Sequence, residues 1–377
     1  MEKMDKVLLL EPNAYHYEVI PGFAYYFCEL GYEVDCLVQK HETFGNEFCL
    51  CNDLEARVNI IIYNNNEMTQ TVEKLTSQNK YEFIFLTSLD YIENGCLTSI
   101  YNIIKRVDNS KHGIIGCYHA LSSYVYNKKD ELINPDRIVS LSSIKTDDIE
   151  FSVVNSNYFT DNIRFKEKNK CLSLVSIGVS NDGNEMRNAL NQVYQTDNIL
   201  INVDFIGGKT AKELSKSQLK KRLAYPIIVL LGLKKFKNEG YAPFPKIKKQ
   251  VRDKICMHGK IHFEDMFQVI DNADFILINI ADRFSNEFSK NKTSGSKQLS
   301  IGFCRPCIIE KKYADYYGFS EKNAIIYEHG QLADAISRAA KLPSSEYEIM
   351  QQELFELQKM VRTQSIVNLK TLIDKIL

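Results

Sequence analysis

The sequence predicts an α/β protein built from two doubly wound, Rossmann-like domains facing a central cleft. Three observations predict it. Short apolar runs alternate with helical patterns along the chain, which implies parallel strands joined by crossover helices. At 377 residues the chain exceeds the usual size of one core. The alternation stops at the polar segment Asp161–Lys170 and restarts at the apolar run Cys171–Ile177. Domains are therefore expected at 1–165 and 166–377, with the last helices free to cross back to the first.

The first half opens with the apolar run Val7–Leu10, a turn at Glu11-Pro12-Asn13, and a helical pattern over Glu18–Leu30 that Gly31 ends. Further strands are expected at Glu33–Val38, Val58–Tyr63, Phe83–Thr87 and Gly113–Tyr118, with helices over 66–78 and 95–107. In the second half the pattern gives a strand up to Gly178, a helix over 185–194 and strands over 201–206 and 255–261. A helix over 264–272, the strand Asp274–Ile280, a helix over 295–303 and strands Cys307–Glu310 and Ala324–Tyr327 follow. Helices from 331 and 345 close the chain.

With 44% apolar and 25% charged residues, the composition is that of an ordinary globular protein. No stretch approaches the roughly 20 apolar residues that span a bilayer, and the N-terminus lacks the pattern of a signal peptide, so a cytoplasmic location is expected. The ten cysteines lack the spacing of a disulfide framework. Cys304 and Cys307 form a CxxC without a second metal-binding pair, so no metal site is expected. The net charge of −1 hides an asymmetry: residues 1–165 hold 14 Lys/Arg against 24 Asp/Glu, and the remainder 33 against 24. The basic half should attract anions: nucleic acid is conceivable, anionic lipid or nucleotide phosphate fits equally well, and no nucleic-acid partner is expected.

Lys292-Thr293-Ser294-Gly295-Ser296-Lys297 follows one strand and opens a helix. The first amide N–H groups of a helix lack intrahelical partners and the macrodipole is positive there, so such a start suits a phosphate. Gly295 permits close backbone approach, and Thr293, Ser294 and Ser296 offer hydroxyl donors. An ordinary solvated N-cap remains the alternative.

Thr-Ser-Gly-Ser, an apolar helix and then Gly302-Phe303-Cys304-Arg305-Pro306-Cys307-Ile308-Ile309 resemble the donor-domain signature of GT-B glycosyltransferases. His258-Gly259-Lys260-Ile261-His262-Phe263-Glu264-Asp265, followed by Ala273-Asp274-Phe275-Ile276-Leu277, is similar to the same family's strand, turn, helix and strand. The resemblance covers roughly residues 170 to 340. It implies a donor diphosphate on Thr293–Lys297 and a nucleotide base at the backbone of Gly259, Lys260 and Ile261. It also implies a nucleoside diphosphate sugar as donor, no permanent cofactor and no metal. Many retaining members carry two glutamates before the Gly-x-Pro proline; the matching positions here are Leu299 and Asn291, which leaves Glu287 as the nearest acidic candidate.

In the first domain, the loop after strand one carries His16, suited as a general base on an acceptor hydroxyl with Glu11 or Glu18 orienting it. A surface histidine is the alternative. His119 ends the run GIIGCYH, where the family often has a histidine facing the donor sugar; a polar strand end is the other reading. Lys209, after Gly207-Gly208, ranks first, ahead of Arg187 and Lys297, for neutralising the departing diphosphate.

Tyr225–Leu233 runs into Lys234, Lys235 and Lys237, and reads either as a segment lying on an anionic membrane surface or as a buried element with a solvated end. Taken together, the expectation is a transferase of bacterial surface-polysaccharide type that moves sugar to a glycan or lipid-linked glycan hydroxyl, peripheral at the inner face of the membrane. A nucleotide-sugar 2-epimerase and a non-catalytic nucleotide- or anion-binding protein are the rivals. No GxGxxG follows the first strand, which argues against a dehydrogenase.

Overall fold

A computed structural model describes residues 5–12, 16–40, 54–64, 67–89, 114–120, 135–143, 150–156, 165–178, 182–208, 211–231, 247–290 and 292–377. The chain divides into two units. The first comprises Met1–Arg164, Asn286–Cys304 and Gln352–Leu377; the second comprises Phe165–Ser285 and Arg305–Gln351.

The first unit holds a seven-stranded parallel sheet. Its strands are β1 (Lys6–Glu11), β2 (Glu33–Gln39), β3 (Val58–Tyr63), β4 (Phe83–Leu86), β5 (Ile114–Tyr118), β6 (Ile138–Ser140) and β7 (Ser152–Val153), in the order β3-β2-β1-β4-β5-β6-β7. Helices α1 (Ile20–Glu29), α2 (Leu54–Arg57) and α3 (Met68–Gln78) accompany the first three strands. Strand β4 shows why the sheet is covered on both faces. Its side chains alternate: Phe83 and Phe85 stack against Phe23 and Phe27 of α1, while Ile84 and Leu86 join Met68 and Val72 of α3 in a second apolar layer.

The second unit holds a six-stranded parallel sheet. In chain order its parts begin with β8 (Ser173–Ile177), α4 (Gly183–Asp197), β9 (Asn202–Ile206), α5 (Ala211–Leu230), α6 (Lys249–Arg252), β10 (Ile255–Gly259), α7 (Phe263–Asn272) and β11 (Phe275–Ile278). The chain then passes through α8 (Ser285–Phe288) and α9 (Gly295–Phe303) before β12 (Cys307–Glu310), α10 (Lys311–Tyr317), β13 (Ala324–Tyr327), α11 (Leu332–Lys341) and the long α12 (Ser344–Ile376). The strand order is β10-β9-β8-β11-β12-β13. Met186, Leu190 and Val193 of α4 pack with Leu332 and Ile336 of α11 on Val203, Leu277 and Ile308 of the sheet. Asp274, fully buried, accepts hydrogen bonds from Lys166 Nζ at 2.5 Å, Asn169 N at 3.0 Å and Ser173 N at 2.8 Å, which anchors the polar segment 165–173 to this unit.

Two doubly wound parallel sheets are what the alternation predicts, and most strands coincide with the expected runs. Strands β6 and β7 are too short to carry a periodic signal. The helix expected over 95–107 lies outside the described residues. The segment around 225 departs from the buried-element reading: as far as Leu230 it is helix α5, with Leu223, Ile227 and Leu230 exposed. Cys304 closes α9 in the left-handed conformation and Cys307 opens β12, both thiols buried.

Candidate active site

An open α/β sheet places ligands beyond the carboxyl ends of its strands, where the strand order reverses. In the first sheet that point lies between β1 and β4. Glu11, the last residue of β1, is buried; Thr87 follows β4 and donates its hydroxyl to Glu11 Oε2 at 2.6 Å. Tyr63 at the end of β3 donates to the Glu11 carbonyl at 3.2 Å. His119 follows β5, is buried, and its Nε2 lies 3.0 Å from the Thr87 carbonyl oxygen. A carbonyl only accepts, so Nε2 carries the proton. Burial pushes the His119 imidazole well below its ordinary range, with the charges of His16 and Lys292 adding in the same direction and the Thr87 carbonyl opposing them. The ring is therefore neutral at pH 7, which makes Nδ1 the accepting nitrogen.

His16 stands beside it. The two rings meet edge to face with centroids 4.5 Å apart, and His16 Nδ1 lies 3.4 Å from Glu18 Oε1. Of the two acidic residues expected to orient His16, Glu18 has this contact, whereas the Glu11 carboxylate engages Thr87.

The segment 292–297 belongs to the same unit. Lys292 forms an antiparallel bridge with Ala120, the residue after His119. Thr293, Ser294 and Ser296 are buried, and Thr293 Oγ1 has no hydrogen-bond partner among the described residues. Ser294 caps α9 by accepting from Ser296 N at 3.3 Å. A Cβ built on Gly295 meets nothing within 4 Å, so the backbone at the first turn of α9 is open. Lys297 Nζ lies 3.4 Å from Asn155 Oδ1, and burial pushes the Lys297 amine down to about 8. Gln358 of α12 donates to the carbonyls of Ile301 and Gly302 at 3.1 and 2.9 Å, fixing the other end of the helix. Glu287 pairs with Lys292 at 3.6 Å. The structure thus brings His16, His119, Glu287 and Thr293–Lys297 into one unit.

The remaining expected residues lie in the second unit. Its reversal point is between β8 and β11. Gly178, Gly207 and Gly259, at the carboxyl ends of β8, β9 and β10, all have positive φ. Gly207 N donates to the Gly259 carbonyl at 2.7 Å, and a Cβ on Gly207 would stand 3.6 Å from Gly178 Cα. This rim leaves backbone without side chains. Lys260 beyond it is exposed and Ile261 is half-buried. Asp182 N-caps α4 through Asn184 N and Glu185 N, while Asn279 after β11 donates to the Asp182 carbonyl at 2.8 Å. Burial, then Asp182, pushes the Glu185 carboxyl upward. Arg187 folds back on its own helix, donating to the Gly183 carbonyl at 2.8 Å. Lys209 lies outside the described residues.

Thr87, Asn155, Asp182 and Asn279 were not singled out from the sequence. Thr87, Asp182 and Asn279 stand on or just after the carboxyl end of a strand at a reversal point, a position that becomes visible only once the strand order is known.

No family model and no curated protein matches this sequence. Solved structures do. Alr3699/HepE of Anabaena, in complex with UDP and glucose, aligns over 98% of this chain and 100% of its own at 10% identity and a TM-score of 0.57. An E. coli trehalose-6-phosphate protein bound with UDP-2-fluoro glucose aligns over 98% and 99% at 8% identity and a TM-score of 0.54. An α-glucosyltransferase in complex with UDP and a 13-mer DNA aligns over 98% and 95% at 11% identity and a TM-score of 0.54. The chain shares its fold with these proteins, and the fold is GT-B.

Proposed function

We propose that the chain is a glycosyltransferase that moves a sugar from a nucleoside diphosphate sugar to an acceptor hydroxyl. The observation that carries this reading is the presence in one unit of a contacting histidine pair, His16 and His119, and a helix start with an open glycine, an unpartnered buried hydroxyl and a desolvated lysine. In the step, the bond from the anomeric carbon to the phosphate oxygen breaks and the diphosphate leaves with the electron pair. The acceptor oxygen bonds to that carbon and gives its proton to His16 Nε2, while Glu18 holds Nδ1–H. The first amides of α9, the Thr293 hydroxyl and the Lys297 ammonium receive the developing charge on the diphosphate. His119 offers Nδ1 to a hydroxyl of the donor sugar. In the second unit, taken by itself, the backbone at Gly259–Ile261 suits a nucleotide base.

UDP in the structural neighbours supports a UDP-sugar as donor, and the 2-epimerase reading is not favoured by them. A thermal-shift screen of nucleoside diphosphates and their sugars tests binding: a ligand at 100 times its dissociation constant stabilises the fold by about 2.7 kcal/mol. Release of nucleoside diphosphate only when a glycan or lipid-linked glycan is supplied distinguishes transfer from mere binding. Absence of such release with every donor that binds rejects the transferase.

We further infer that helix α5 rests on an anionic membrane surface, at the inner face in a cytoplasmic, bacterial polysaccharide-type setting. Leu219, Leu223, Ile227, Leu230 and Leu231 are exposed at steps of three and four or one residue, and Lys216 and Lys220 are exposed on the same helix. Among the described residues no helix is long and apolar enough to cross a membrane. Vesicles rich in anionic lipid should sediment the protein, with Lys216→Glu plus Leu223→Asp and added salt each weakening the association; sedimentation indifferent to both rejects this role.

A further inference from the structure

We propose that Asp204, Cys256 and His258 form a binding site for zinc or a similar borderline-soft divalent metal on the second sheet, next to the glycine rim at Gly259. Asp204 lies 54 residues before His258, and the pairing of β9 with β10 brings it beside Cys256 and His258. Cys256 is the direct register partner of Asp204. The register then shifts between Met257 and Gly259, so that His258 is the extra residue of a bulge. Such bulges re-aim a side chain, and His258 Nε2 lies 2.7 Å from Asp204 Oδ1. A carboxylate oxygen of Asp204, the Cys256 sulfur and a ring nitrogen of His258 all lie within 4.8 Å of one another.

This donor set fits the metal. One thiolate, one imidazole and one carboxylate form a mixed S, N, O set that zinc accepts, with bonds of about 2.3, 2.0 and 2.0–2.2 Å. Bonds of that length in a tetrahedron put ligand atoms roughly 3.5 Å apart. The sulfur, within 4.8 Å of the other two, therefore closes by at most about 1.3 Å, and the histidine and carboxylate part by less than an ångström from 2.7 Å, both within side-chain rotation. Cys256 is exposed and His258 and Asp204 are half-buried, which provides entry and a fourth position for water. Met257 and Phe205, the alternate residues on the same strands, meet Arg187 of α4. The metal side chains are thus distinct from the layer that packs against α4. A bound ion would tie strand β10, at the end of the strand order, to β9. Upon binding, the thiol releases its proton and forms the metal–sulfur bond, with no change of oxidation state.

The test uses the full chain. Zinc is titrated in competition with a chromophoric chelator, and cobalt(II) is then used as a spectroscopic probe. The expected result is one equivalent of zinc per chain and a cobalt spectrum with a thiolate charge-transfer band. Cys256→Ser should abolish that band, and both it and His258→Gln should weaken zinc at least about tenfold. Zinc should also slow alkylation of Cys256 by iodoacetamide. Cys256 is exposed, so Cys256→Ser should keep the native circular dichroism. No zinc uptake by the native chain, or uptake with a thiolate band that survives in folded Cys256→Ser, overturns the proposal, the second because the metal then sits on another of the ten cysteines.

Discussion

The ring of His16 meets the ring of His119 edge to face, with centroids 4.5 Å apart. The pair divides its roles by environment: His119 is buried and held neutral by that burial, with the Thr87 carbonyl fixing the proton on Nε2, while His16 is half-buried beside Glu18. A positioned base contributes about 10²- to 10⁴-fold in rate and little to donor affinity. His16→Ala should therefore lower turnover at least about 100-fold with near-normal nucleotide binding. His119→Ala should weaken the nucleotide sugar more than the bare diphosphate. Full transfer activity in His16→Ala would move the base elsewhere.

Lys297 gives the site a pH dependence. Its folded pKa of about 8 means that the ammonium is present at pH 7 and lost as the pH rises through 8. A diphosphate favours the charged form, so affinity is full below that value and falls above it. Between pH 7 and 9 the affinity for UDP should drop by up to about tenfold, as one titrating group allows. Calorimetry at the two pH values checks this, and Lys297→Met should remove the dependence.

Gly22 of α1 lies close against the segment after β7. A Cβ at that position would stand 2.8 Å from the backbone of Ser156. Backbone cannot yield as a flexible side chain does, so Gly22→Ala should destabilise the protein by about 1–3 kcal/mol. Denaturant unfolding followed by tyrosine fluorescence measures it.

Asp274 is the polar anchor of the second unit. Replacing it by alanine removes the acceptor of two backbone amides and the partner of Lys166. The loss should be about 3–5 kcal/mol, in line with breaking a buried charged pair. Asp274→Asn keeps one accepting oxygen and should cost less. Equal midpoints for the two variants would contradict this role.

The fold was legible because parallel strands buried on both faces read as apolar runs, and β3, α9, β12 and β13 coincide with the expected boundaries. The loop Thr293–Lys297 was legible because its hydroxyls and glycine are contiguous. Its grouping with His119 was not, since the bridge from Lys292 to Ala120 joins residues 172 apart in number. The same reason hid Thr87, whose role depends on β4 lying beside β1. The cluster of Asp204 with Cys256 and His258 depends on strand register and a bulge, neither of which periodicity encodes. Helix α5 ran against pattern reading because Pro226 and an apolar stretch argue for a break or a buried strand.

The most direct measurement is a calorimetric titration of UDP into the native protein and into Gly295→Val. The position is open around its Cβ, so the variant should fold normally, and the valine side chain would occupy the approach to the first turn of α9. Micromolar binding by the native chain that weakens at least about tenfold in the variant is the expected result. Equal affinity in a folded Gly295→Val protein, or no binding of UDP or another nucleoside diphosphate by the native chain, would contradict a diphosphate site at Thr293–Lys297.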